Sequence, residues 1–162
     1  MRVKAIVLVG AALAISGCGS QGEEAGGDAV RLMMVEQVQP TSETYWNAVQ
    51  YISDENGSRE VTPQNDAEWE RTAEAARQLA SYGEQLQQPQ YAEGHGSDWM
   101  AYSQGLVEVA GQAEAAANAK DPAKVLEIGG TLYNVCSSCH EKYMSEPAGI
   151  SPSWPDDIHE AN

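Results

Sequence analysis

Within a chain of 162 residues, the run Cys136-Ser137-Ser138-Cys139-His140 carries the residue types best suited to chemistry. Two cysteines three positions apart share one face of a helix. Their thiols can then add to the vinyl groups along one edge of a haem, while the next residue ligates the iron. The spacing therefore predicts one covalent haem c, attached at Cys136 and Cys139, with His140 as axial metal ligand. Two other chemistries share the C-x-x-C spacing. A thioredoxin-like dithiol needs a βαβ setting and a cysteine at a helix N-terminus, whereas this motif falls late in a helical pattern. A zinc site needs more donors, and the one remaining cysteine, Cys18, lies far upstream.

Cys18 has a use of its own. Met1-Arg2-Val3-Lys4 precedes an apolar run from Ala5 to Ile15 that is too short to span a bilayer, the pattern of an export signal over residues 1–17. It ends Ile15-Ser16-Gly17-Cys18, which looks like a bacterial lipobox, with Cys18 lipidated and first in the mature chain. The expected location is the periplasm, with the lipid as the only membrane attachment. Residues 18–28, rich in glycine and charge, suit a flexible tether. With one thiol acylated and two bonded to haem, no cysteine is left for a disulfide. Export and haem attachment also agree, because covalent attachment in bacteria looks like a task for machinery outside the cytoplasmic membrane.

The net charge is −15, and loss of the signal removes Arg2 and Lys4 while keeping all 24 acidic residues. Such a surface argues against nucleic acid and against adsorption to anionic lipid. It favours redox partner proteins with a basic docking patch, and it also serves solubility.

Four helices must position the motif. The first is expected over residues 29–53, with Val30, Met34, Val38, Trp46, Val49 and Ile52 at helical spacing and a kink or break at Pro40. A turn region runs from Asp54 to Pro63, and Asn65 with Glu68 forms a capping pair for the second helix. That helix bears Trp69, Ala73, Ala76, Leu79, Ala80, Gly83 and Leu86 and stops before Pro89. Ser97 is the expected cap of the third, whose stripe is Trp99, Tyr102, Leu106, Val109, Ala113 and Ala116. Asp121-Pro122 opens the fourth, where Val125, Ile128, Leu132, Val135 and Cys139 recur and Gly129-Gly130 allow close approach of a helix or the haem. The fold class is thus all-α, an antiparallel four-helix bundle over residues 29–144 with the haem in its core near one end. Residues 145–162, with three prolines and Trp154, form an irregular tail.

An exported chain with four helices and C-x-x-C-H at the end of the last resembles the class II c-type cytochromes, the cytochrome c-prime and cytochrome c556 group. Tyr143, an aromatic three residues after His140, also looks like that group, whereas Met144 stands where many members carry an arginine and leaves Lys142 a weak basic partner for a haem propionate. The resemblance implies that a first-helix residue meets the other face of the iron, and here that helix offers Met33 and Met34. Met34 is favoured as sixth metal ligand because it shares a stripe with Val30 and Val38. A soft thioether suits haem iron and raises its potential; methionine also simply fills core space beside such groups. The resemblance further implies a homodimer through the first two helices.

The expected function is that of a lipid-anchored periplasmic cytochrome carrying single electrons, not an enzyme. If Met34 stays off the iron, the alternative is a five-coordinate haem protein that binds nitric oxide or carbon monoxide for scavenging or sensing. A peroxidase would want a distal acid–base group, and the first helix offers only Arg31.

Overall fold

A computed structural model of the chain describes residue 27, residues 29–55 and residues 57–144. The signal segment 1–17, Cys18, the tether apart from Gly27, and the tail 145–162 lie outside the described residues. The described chain is mostly helical with one small sheet. Helical turns at 29–33 enter a π-helical stretch, Met34–Val38, which continues as α1 (Gln39–Trp46). There follow β1 (Gln50–Asp54), β2 (Gly57–Val61), α2 (Asp66–Leu86), the single turn α3 (Pro89–Ala92), α4 (Gly96–Asn118) and α5 (Pro122–Tyr143). Among the described residues no helix is long and apolar enough to cross a membrane.

Local chemistry sets the helix starts. Asn65 accepts the Glu68 N–H at 3.0 Å, and the Glu68 carboxylate reaches back to the Asn65 side-chain amide and the Gln64 N–H, so α2 begins in a reciprocal cap. Asp121 accepts the Lys124 N–H at 3.0 Å with Pro122 in the first turn of α5. The third long helix departs from expectation: α4 begins at Gly96, with His95 rather than Ser97 at the cap position and no side-chain cap bond. Gly94 and Gly96 both take positive φ there, which turns the chain sharply into α4.

The long helices run antiparallel. Lys120 pairs with Asp66, Arg77 with Glu114, and the Trp99 indole donates to the Leu86 carbonyl at 2.6 Å, so α2 and α4 lie side by side in opposite directions. Ala73, Ala76, Ala110, Ala113 and Ala117 seal that contact, and a Cβ on Gly83 would stand 2.9 Å from the Ser103 carbonyl oxygen. At the far end of α4 the chain reverses again, and the Tyr143 hydroxyl at the end of α5 donates to the His95 carbonyl at 3.2 Å. α1 packs along α2 and ends where α2 begins, which points its N-terminal turns toward the end of the molecule that holds His95 and Tyr143.

The first helix was expected to reach residue 53 but stops at Trp46, and residues 50–54 pair antiparallel with 57–61. The sequence Asn56-Gly57 is a hairpin signal, with Gly57 at φ +110, and it outweighs the helical spacing of Val49 and Ile52. Pro40 does not break the helix, which continues to Trp46. A proline lacks the N–H that an α-helix interior needs, and its ring collides with the carbonyl four residues back. The π stretch resolves both: the Gln39 N–H bonds to the Met34 carbonyl, five residues back, and the wider turn admits the ring.

Candidate haem-attachment site

α5 changes character along its length. Its first half is core, with Val125, Ile128, Gly129 and Leu132 buried; after Leu132 no residue of the helix is buried. Tyr133 is 60% exposed, and Val135, Cys136, Ser137, Cys139 and Tyr143 are half-covered. The attachment motif therefore lies on the last turns of a helix whose own neighbours leave one flank open.

Cys136 and Cys139 are free thiols on adjacent turns of that flank. Burial pushes the Cys136 thiol up from its ordinary value, and burial together with the neighbouring Cys136 pushes Cys139 up to about 11. A reactive dithiol works the other way, with a thiol lowered by a helix N-terminus or a cation; these two stand near a helix C-terminus and stay protonated at neutral pH. Although the surface of His140 is largely open, enough of its ring is shielded for desolvation to lower its pKa, which favours the neutral imidazole that ligates metals. Among the described residues no three His, Cys, Asp or Glu side chains come together to hold a bare metal ion.

The end of α5 is buttressed from α4. His95 stacks on Trp99 with ring centres 4.2 Å apart, and Tyr143 stands edge-on to both, at 5.5 Å and 5.2 Å. Lys142 pairs with Asp98, which commits the basic group that could have met a propionate to a partner on α4. His95 is likewise held in this aromatic cluster on the α4 side. None of these contacts, Tyr143 excepted, was foreshadowed by a sequence motif.

The opposite flank faces α1. The Tyr45 hydroxyl donates to the Val125 carbonyl at 3.2 Å, and the Trp46 indole donates to the Gly129 carbonyl at 3.0 Å. A Cβ on Gly129 would lie 3.3 Å from the Trp46 ring, whereas one on Gly130 would meet nothing within 4 Å. Of the two glycines, Gly129 thus serves close approach of a helix, and Gly130 borders a cleft of about 640 Å³ lined by Trp46, Gln50, Tyr51, Leu126 and Tyr133 among others. The methionines of the first helix divide: Met33 is 3% exposed in the core, and Met34 is half-covered beside it. The stripe expected Met34 in line with Val38, but the π stretch adds one residue to the turn, so Met33 takes the core position five residues before Val38.

These residues fit a haem: two free thiols kept protonated by burial, an imidazole held toward its neutral form, and an open flank over the last turns of α5. Compared with protein-family models, curated proteins and solved structures, the chain gives no match in any of the three.

Proposed function

We propose that this chain is a periplasmic c-type cytochrome of the class II kind, a four-helix bundle formed by the first helix, α2, α4 and α5, tethered through lipid on Cys18. Cys136 and Cys139 would hold one haem through their sulfurs, and His140 and Met34 are the side chains that would hold its iron. Once bound, the haem supplies a one-electron iron couple. Everything else is the work of the polypeptide. Burial keeps the Cys136 and Cys139 thiols protonated, the form that would be available to hold the group. Tyr143, Trp99 and His95 fix the last turn of α5 and with it the direction of His140. The acidic surface steers basic redox partners toward the protein. The reading requires no substrate pocket and no catalytic residue.

The observation that carries it is the position of C-x-x-C-H on the uncovered half of α5, beyond the turns that α1 meets at Val125 and Gly129. The test is the optical spectrum of the protein expressed with a haem-attachment system, oxidised and reduced, with and without carbon monoxide. A low-spin spectrum with a methionine-to-iron charge-transfer band and no response to the gas is expected. A high-spin spectrum that shifts with carbon monoxide would make it a gas binder, and a chain whose intact mass lacks haem would refute both.

A further inference from the structure

The π stretch begins at Met34 itself and ends at Val38, ahead of Tyr45 and Trp46, the residues that join α1 to α5, so it sets the angle between Met34 and Trp46. We propose that this stretch, maintained by Pro40, is a phasing device that turns Met34 toward α5 at the level of His140; the inference rests on the haem reading above.

Twelve residues separate Met34 from Trp46. At about 100° per residue, an unbroken α-helix would leave the two side chains about 120° apart, with Met34 on the core line of Val38. The π turn takes five residues where an α turn takes four, so the helix advances as if eleven residues intervened, and the mismatch falls to about 20°. Burial agrees with the altered phase. Met33 and Val38, five apart, are both buried, and Met34 is half-covered, as is Trp46.

Trp46 meets α5 at Gly129, and His140 lies eleven residues beyond Gly129. Eleven residues on a regular helix return to within about 20° of the same face, so His140 continues the line that faces Trp46. The two helices run in opposite directions. Eleven helical steps back from Trp46 and eleven forward from Gly129 therefore bring Met34 and His140 to the same level on facing sides. Without the extra residue, Val35 rather than Met34 would take that place, and a valine has no atom to offer iron. Pro40 acts here as a positioning residue: it touches no cofactor, but it makes the regular α turn unfavourable at this point of the helix.

The test uses the haem-loaded protein, with intact mass reporting attachment and the methionine-to-iron band reporting the sixth ligand. Met34→Leu should abolish the band and Met33→Leu should keep it; both swaps conserve volume and leave the fold intact. The decisive variant deletes Glu36, an exposed residue of the π stretch, together with Pro40→Ala, which leaves a regular helix with Met34 eleven residues from Trp46. The band should survive there. Its loss in that variant while haem stays attached, or its dependence on Met33 instead of Met34, overturns the phasing proposal, as does a haem-loaded native chain with no such band. A native chain that attaches no haem fails the underlying reading instead.

Discussion

The α2–α4 pair and the α1–α5 pair are both joined by antiparallel packing, yet they are closed in opposite ways. Between α2 and α4 the contact is continuous: alanines at 0% exposure alternate with Leu79 and Leu106, Gly83 lets the backbones approach, and ion pairs stand at Asp66–Lys120 and Arg77–Glu114. Between α1 and α5 the contact is made at one end by Tyr45 and Trp46, the latter edge-on to Tyr133 at 6.3 Å, and beyond it Met34 on the first helix and Val135, Cys136 and Cys139 on α5 are only half-covered. The close-packed pair buries much of the core, and the loosely joined pair leaves the C-x-x-C-H run half-covered or exposed. Under the proposed haem reading, one seam left unzipped would leave room for a large planar group, while small side chains in the other pack densely.

The contrast is most severely tested inside the sealed seam. Leu79→Ala should lower the unfolding free energy by about 2–5 kcal/mol, because its side chain is fully buried and a cavity would remain. Urea titration of the apo chain measures it, and the haem spectrum should keep its shape. A spectrum that changed as much as the stability would show that the two seams are not separable. Gly83→Ala should cost somewhat less, about 1–3 kcal/mol, since the new Cβ would press on the Ser103 carbonyl, which is backbone and cannot swing aside. An unaltered urea midpoint would mean that α2 and α4 sit farther apart than described.

At the open seam the expected losses are smaller and differently distributed. Trp46→Phe keeps an aromatic ring but removes the donor to the Gly129 carbonyl, which should cost about 1 kcal/mol. Hydrogen exchange should quicken in α1 and leave α2 and α4 as protected as before. Uniform loss of protection would contradict the division between seams.

How much of this was legible beforehand follows the same division. The starts of α2 and α5 could be read because their signals are local, Asn65 with Glu68 and Asp121-Pro122, and α2 ends ahead of Pro89; the start of α4 at Gly96 had no such signal. The seam around α1 could not be read, for two physical reasons. Trp46, Val49 and Ile52 satisfy helical spacing, but residues 50–54 have a β partner only seven residues away, and pairing with 57–61 gives their backbone hydrogen bonds that periodicity does not count. The methionine phase failed because stripe arithmetic assumes a constant turn, and a single π turn shifts every residue before it by about 100°. Pro40 announced that something had to give, without saying that the helix would widen into a π turn. The C-x-x-C-H run is a pattern of sequence alone, and the structure adds that it lies on the last turns of α5. Its buttress is not a pattern of sequence, since His95, Trp99 and Tyr143 meet through tertiary packing.

The smallest expected effect concerns how the motif end of α5 is clamped to α4. Asp98 lies in the first turn of α4 and Lys142 in the last turn of α5, so their ion pair bridges the two helix ends next to His140. The hydrogen bond from Lys142, followed by its charge, holds the Asp98 carboxyl below its ordinary 3.8. The folded state therefore binds a proton less readily than the unfolded state, and the pair's contribution is complete above pH 3.8 and disappears as the pH falls through the lowered value. Both groups are open to solvent, so the contribution is small and screened by salt. Lys142→Gln should slightly lower the melting temperature at neutral pH and flatten the acid side of its pH dependence, and high salt should erase the difference from the native chain. If instead the melting temperature is unmoved while the haem spectrum broadens, the pair serves to aim His140 and not to join the helices, and the clamp belongs to the open seam rather than to the sealed one.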